Sequence, residues 1–251
     1  MRGLLGEVWR RVQLIALVCV MLVSYSAASA PGVYKQGNIL FMPIEHATMV
    51  IQVKDTTIYV DPVGEVATFE KFAKPDLILI TDIHYDHLKP ELVTQLATDK
   101  TKIIAPKAVA EQLDKNLPVT ILSNEQSTEF QSLTIEAVAM YNLTEGRLKY
   151  HEKGRGNGYV IDTGAKRIYL SGDTEDVPEM RALKDIDFAF VCMNLPYTMT
   201  VEQAADAVIE MDPKVVFPYH YRGTEGMSDI EKFENLVKSA SNVKVKKLKW
   251  Y

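Results

Sequence analysis

Thr81-Asp82-Ile83-His84-Tyr85-Asp86-His87 places two imidazoles and two carboxylates within six residues, directly after Asp76-Leu77-Ile78-Leu79-Ile80. That preceding apolar run is short and bounded by polar residues, so it reads as a buried strand. A strand therefore ends where metal-ligating side chains begin. His84, Asp86 and His87 form a donor set that suits zinc, manganese or iron, and they sit too close together to serve one tetrahedral ion. The spacing points to ligands divided between two ions. The competing explanation is local, because Asp and His often cap helices and Pro90 looks like the first residue of one.

Upstream of this loop, residues 39–44, 48–53 and 57–61 are short runs rich in β-branched residues, separated by turn-like breaks, which reads as a meander opening a sheet. His46 falls in its first turn, either as a solvated turn residue or as a wall of a pocket. Asp61 and Pro62 end the last strand, where an aspartate before proline is commonly a turn residue. Downstream, 90–97 and 107–113 read as helices with a strand at 102–105 between them. A second set of strands begins at 133–140, and 158–163 with 167–171 form a hairpin around Gly164-Ala165-Lys166. Residues 177–183, 187–191 and 200–211 then read as helix, strand and helix. Thr200-x-x-Gln203 opens the last of these with a capping-box pattern, and Ser228-x-x-Glu231 repeats the device ahead of Ile230, Phe233, Val237 and Ala240, one apolar helix face.

The metal loop resembles the H-x-H-x-D-H signature of the metallo-β-lactamase fold, here Asp82-x-His84-x-Asp86-His87 with aspartate in place of the first histidine. That resemblance extends from about Ile39 to Tyr221 and implies an α/β four-layer αβ/βα sandwich, two sheets face to face with helices outside. It also implies a ligand set in which Asp82, His84 and His151 hold one divalent ion and Asp86, His87 and His220 the other, with Asp173 between them. The family role of Asp61 is to hydrogen-bond the loop from behind, fixing ligand geometry. The ions would be zinc, with manganese or iron(II) as alternatives, and a hydroxide bridging them would attack an ester, lactone, amide or phosphodiester. Asp86 and Asp173 are then the catalytic carboxylates, while Tyr197 and Tyr221 are candidate donors to a developing oxyanion. The pieces Gly158-Tyr159-Val160-Ile161, Gly172-Asp173-Thr174 and Tyr197-Thr198-Met199-Thr200 resemble the branch containing ascorbate-6-phosphate lactonase and the phospholipase D that cleaves N-acyl phosphatidylethanolamine. A small-molecule or lipid-like substrate is the partner this implies. The aspartate at position 82 keeps a second expectation open, a ligand-binding protein that retains the fold without turnover. A diiron flavoprotein of the same fold would need a flavin-binding domain, which these 251 residues do not include.

Residues 1–30 differ in kind from the remainder. Arg2, Arg10 and Arg11 precede an apolar run over 12–23, and Ala28-Ser29-Ala30 has the small-x-small form of a cleavage site, the layout of a secretory signal peptide. The apolar run is shorter than the roughly 20 residues that span a bilayer. The expectation is a periplasmic or secreted protein, one domain over 31–251, with no stable membrane span after cleavage. Its mature form would hold 25 basic against 32 acidic residues, a net charge of −7, which argues against nucleic-acid binding. Cys192 would be its one cysteine and follows the apolar Phe188-Ala189-Phe190-Val191, so it reads as a small buried hydrophobe and not as half of a disulfide.

Overall fold

The computed structural model describes residues 32–251, so the expected leader lies outside the described residues. Strands β1 (Tyr34–Gln36), β2 (Ile39–Glu45), β3 (Thr48–Val53) and β4 (Thr56–Val60) are antiparallel neighbours. β5 (Leu77–Leu79), β6 (Lys102–Ala105) and β7 (Val119–Ile121) then extend the same sheet in parallel. The second half repeats this plan. β8 (Ser127–Phe130), β9 (Leu133–Met140), β10 (Gly156–Asp162) and β11 (Arg167–Leu170) are antiparallel, and β12 (Phe188–Cys192) and β13 (Val215–Tyr219) continue in parallel. A separate hairpin, β14 (Arg222–Gly223) and β15 (Gly226–Met227), precedes β16 (Lys244–Val245), which closes the second sheet beside β13.

Helices α1 (Val66–Phe69), α2 (Pro90–Leu96) and α3 (Lys107–Ala110) accompany the first sheet, and α4 (Pro178–Arg181), α5 (Val201–Met211) and α6 (Ile230–Ala240) the second. On β3, Met49, Ile51 and Val53 face the core between the sheets, whereas Val50 joins Leu92, Val93 and Val109 in a separate cluster under the first set of helices. Both faces of the central strands are thus buried, which is why they read as continuous apolar runs instead of alternating ones. Phe41, Phe190 and Phe217 meet between the sheets, with ring centroids 4.9 Å apart for Phe41 and Phe190 and 4.6 Å for Phe190 and Phe217. The result is the four-layer α/β sandwich that the resemblance implied.

Several boundaries differ from the sequence reading, each for a local reason. The helix expected over 107–113 stops at Ala110; beyond it, the Asp114 carboxylate accepts the Asn116 backbone N–H at 2.9 Å and turns the chain. The cap of α6 is Asp229, which accepts the Lys232 N–H at 2.9 Å, while the Ser228 hydroxyl is spent on the Met193 carbonyl. Of the face expected on α6, Phe233 and Val237 are buried but Ala240 is exposed. The Thr200 box forms in full, with Gln203 N–H to Thr200 Oγ1 at 3.1 Å and Thr200 N–H to Gln203 Oε1 at 2.9 Å. Cys192 is free and buried, and burial pushes its thiol up to about 12.

Asp187 ties the starts of three strands together. Its carboxylate accepts from Lys166 Nζ at 2.8 Å, Lys214 Nζ at 2.7 Å and the Arg167 backbone N–H at 3.0 Å. Burial pushes this carboxyl up, but its bonds to Lys166 and Lys214 outweigh that and hold it below the usual range. A carboxyl depressed on folding contributes stability that is present above the unfolded value near 4 and is lost as pH falls through the folded one. Asp187→Asn is therefore expected to lower unfolding free energy by about 1–2 kcal/mol at pH 7, with the difference shrinking below pH about 4. Urea melts of both proteins across pH 3 to 7 make the comparison, and a deficit independent of pH would assign the effect to shape alone.

Candidate metal centre

The site is built at the carboxyl ends of strands, where an open α/β sheet presents its loops. Asp61 follows β4, the stretch Thr81 to His87 follows β5, Asp173 follows β11 and His220 follows β13. The turn carrying Asp173 depends on Gly172, which has φ +60°; a Cβ there would meet Met140 Sδ at 2.4 Å and Thr81 Cβ at 3.1 Å. Asp61 and His220 also have positive φ, +43° and +44°, a conformation that costs a non-glycine residue about 1–3 kcal/mol. Tertiary bonds hold both. Thr48 Oγ1 donates to the Asp61 carbonyl at 2.6 Å, and the His220 N–H donates to the His46 carbonyl at 3.3 Å.

Two groups of donor atoms result, each within 4.8 Å: Asp82, His84 and His151, and Asp86, His87 and His220. Asp173 joins them. Its Oδ2 is 3.3 Å from His151 Nε2 and 3.4 Å from His87 Nε2, and its Oδ1 is 3.3 Å from His220 Nε2. Three imidazoles from distant segments therefore converge on one carboxylate. Asp86 Oδ2 lies 3.3 Å from His220 Nε2, and His84 Nδ1 lies 2.5 Å from Asp82 Oδ2.

The imidazoles are aimed by their other ring nitrogens. His87 Nδ1 is 2.8 Å from Asp61 Oδ2, and the same carboxylate accepts the Thr81 N–H at 2.7 Å and the Thr81 hydroxyl at 2.6 Å. His151 Nδ1 is 3.1 Å from Asn142 Oδ1, so His87 and His151 are each held at Nδ1 and turn Nε2 toward the centre. Burial pushes the Asp173 carboxyl up, but the charges of His220 and His87 outweigh it and hold it well below the usual range. For Asp86 the His220 hydrogen bond and the His87 charge overcome burial in the same way and hold it at about 2. Both carboxylates are ionised at neutral pH.

Divalent ions fit this set. His151 Nε2, Asp82 Oδ1 and Asp173 Oδ1 are buried without a hydrogen-bond partner, and burying such atoms unpaired is costly. Nε2 of His87 and His220 face each other at 3.1 Å, an arrangement of two basic nitrogens that an electrophile between donor groups would stabilise.

The structure gathers all seven expected ligand candidates, and Asp61 stands directly behind His87. His46 sits at the β2–β3 turn with φ +51°, and its ring centroid is 5.1 Å from that of His220. Burial is the main reason its imidazole is pushed down to about 4, with the charges of His220 and Arg222 acting the same way. The two tyrosines part company. Tyr221 is buried with its ring against Tyr251 at 5.0 Å, while Tyr197 is 37% exposed, its ring 5.1 Å from Tyr150 and its hydroxyl accepting from Thr224 Oγ1 at 3.0 Å.

Three participants have no counterpart in the sequence reading. Asn142 orients His151. Glu175, fully buried, accepts the N–H groups of Leu143 at 2.8 Å and Thr144 at 2.7 Å and so pins the loop that carries His151. Arg155 puts Nη2 3.3 Å from Asp82 Oδ2, supplying a positive charge beside the aspartate that departs from the signature. For Glu175 a signal exists, since a carboxylate two residues after Asp173 continues the same loop; Asn142 and Arg155 carry none.

Asp82 has one oxygen on His84 and Arg155 and the other without a partner. Oxygen in place of nitrogen at a ligand position favours a harder ion. Asp82→His is therefore expected to move metal preference from manganese toward zinc by on the order of tenfold. Competition between the two metals, followed by elemental analysis of both proteins, reads this directly; an unchanged ratio would remove Asp82 from the ligand set.

Comparison with known proteins agrees with this geometry. Residues 42–220 match the family model described as a beta-lactamase superfamily domain. A UPF0173 metal-dependent hydrolase from Thermococcus onnurineus is 33% identical over 176 residues, 67% of this chain and 77% of the relative. Another from Pyrobaculum islandicum is 30% identical over 217 residues, covering 80% and 92%. A solved structure from Parabacteroides distasonis, assigned to the metal-dependent hydrolases, superposes with TM-score 0.78 at 38% identity over 86% of this chain and 96% of its own. Igni18, a metallo hydrolase from Ignicoccus hospitalis, shares the fold at TM-score 0.72 and 23% identity, covering 84% and 95%. With its two facing sheets, its donor atoms at the strand ends and these relatives, the chain belongs to the UPF0173 metal-dependent hydrolase family of the metallo-β-lactamase superfamily.

Proposed function

We propose that this protein is a hydrolase that works with two divalent ions, zinc or else manganese or iron(II), and cleaves an ester, lactone or phosphodiester bond. One ion would be held by Asp82, His84 and His151, the other by Asp86, His87 and His220, with the Asp173 carboxylate between them. The observation that carries this reading is the convergence of His87, His151 and His220 on Asp173, with buried donor atoms left unpaired around it. When bound, such ions lower the pKa of water to near neutrality and polarise the group under attack.

The chain's own residues prepare that chemistry. Asp61 and Asn142 fix the His87 and His151 rings so that both Nε2 atoms point inward, where each would offer a lone pair to an ion. Glu175 holds the loop behind His151, and Arg155 offsets part of the charge that a third carboxylate brings. Tyr197 is the better oxyanion donor of the two tyrosines, because its hydroxyl accepts from Thr224 and keeps its own proton to give. The resemblance to the lactonase and phospholipase D branch supports a small-molecule or lipid-like substrate. The leader-like first 30 residues support export, with a mature chain beginning near Pro31.

Protein recovered from its native host tests these points together. Elemental analysis is expected to find two divalent ions per chain, and intact mass a start near Pro31. Chelation should remove the ions, and restoring them at about 100 times Kd should raise stability by about 2.7 kcal/mol for each ion, a Tm gain of roughly 5 to 11 °C per ion. A chain isolated without metal whose Tm does not respond to added metal would end the hydrolase reading.

A further inference from the structure

Among the described residues, Tyr85, Leu143, Leu148, Leu195, Tyr197 and Met227 are large hydrophobic side chains left exposed, Tyr85 by 88%. Ile121 is the one other. Single exposed apolar residues need no explanation, but these six are not scattered. Tyr85 stands between His84 and Asp86 in the metal loop. Leu143 and Leu148 lie on the loop from Asn142 to His151. Leu195 and Tyr197 follow β12, and Met227 belongs to the hairpin just after His220.

The last three of these loops are locked to one another by polar atoms, which leaves their apolar side chains free. Asn142 Nδ2 donates to the Tyr197 carbonyl at 2.7 Å, Arg147 Nη1 to the Thr198 carbonyl at 2.8 Å, and the Thr224 N–H to the Leu195 carbonyl at 3.1 Å. Neighbouring cations are committed elsewhere: Arg155 to Asp82, Arg147 to Glu175, Arg222 to Glu45 and Lys153 to Glu179. Lys149 has no carboxylate partner, but it lies over the Tyr150 ring at 5.4 Å. The loops around the donor atoms therefore carry apolar side chains beside arginines already paired with carboxylates, and Lys149 is the single cation there without such a pair among the described residues.

We propose that this rim is an acyl-recognition subsite, and that, granted the hydrolase reading above, the substrate is an uncharged carboxylic ester or lactone carrying an alkyl chain. In the reaction a water oxygen bonds to the acyl carbon and the C–O bond to the alcohol breaks. One water proton passes to the departing alkoxide, leaving a carboxylic acid that ionises and an alcohol. The alkyl chain lies away from the reacting carbon, so its burial on the rim adds binding energy that can be used at the site.

The experiment uses the full chain loaded with metal, p-nitrophenyl esters from acetate to decanoate below their micellar range, and bis(p-nitrophenyl) phosphate as the anionic comparator. Expected is a rise in kcat/KM of about two- to fourfold per methylene, reaching a plateau when the rim is filled, with the phosphodiester the poorer substrate. Leu143→Ser, Leu148→Ser and Leu195→Ser, singly and combined, should flatten the chain-length slope while leaving acetate turnover within about twofold and metal content unchanged. The single variants keep the test decisive should the combined one fail to fold. Cleavage of esters with no dependence on chain length, a slope that survives all three substitutions, or a preference for the phosphodiester would overturn the subsite and leave the hydrolase reading intact. A metal-loaded protein that cleaves none of these compounds would sink the hydrolase reading, and the subsite with it.

Discussion

Asp173→Ala is expected to lose bound metal and to lower hydrolysis by on the order of 10³-fold or more, the largest effect of any single substitution in this chain. Asp173 is the one carboxylate shared by both donor groups, lying within 3.4 Å of Nε2 of His87, His151 and His220. In the proposed two-ion arrangement, removing it would leave each ion short of a ligand and would take a negative charge from between them. Asp173→Asn separates charge from shape, since it keeps the volume and one acceptor; it should fold like the parent and still fail to hold both ions. Metal content, circular dichroism and turnover on the same preparations read the outcome. Full occupancy of two ions in the alanine protein would show that Asp173 does not join the groups.

The second large effect is expected at Asp61, which lies behind the metal loop and is fully buried. Asp61→Ala leaves the Thr81 N–H, the Thr81 hydroxyl and His87 Nδ1 without their acceptor at sites with no access to water. Breaking a buried charged network of this kind costs about 3–5 kcal/mol, and loss of a group that orients a ligand weakens metal binding by about 10–100-fold. Asp61→Asn tells the two consequences apart. Its oxygen can still accept from Thr81, but its amide presents N–H groups to His87, which then accepts at Nδ1 and carries its proton on Nε2, the nitrogen that should face the ion. The asparagine protein is expected to melt within a few degrees of the parent yet bind metal at least tenfold more weakly. If it binds metal like the parent, Asp61 is a structural anchor of the loop and does not set the His87 tautomer.

Local physics made the central loop legible in the sequence. Six residues between an apolar strand and the start of a helix carry two imidazoles and two carboxylates, a density that points to ligands, and that spacing survives folding because it lies within one loop. Strand and helix signals were likewise readable where periodicity was long: β9 spans Leu133–Met140 as expected, and the Thr200 capping box formed with both bonds. At the start of α6 the expected cap, Ser228, is occupied by a distant carbonyl, that of Met193, and Asp229 caps the helix instead. Short strands without a strong pattern, such as β1, β7 and β8, left no trace in the sequence reading.

By its residues alone this chain determined its two sets of strands, the loop where ligands collect, and through family resemblance the order of the remaining His and Asp. Tertiary structure alone decided what those ligands lean on. Arg155 reaches Asp82 across 73 residues, His220 meets His87 across 133, and Asn142 takes its place between His151 and the Tyr197 carbonyl. The same holds for the apolar rim, whose members are unremarkable leucines and tyrosines one by one. Side-chain identity and spacing set what a loop can do with its own neighbours, but the partners of a buried charge are chosen by which strand ends the facing of two sheets brings together, and that is a property of the packed chain as a whole.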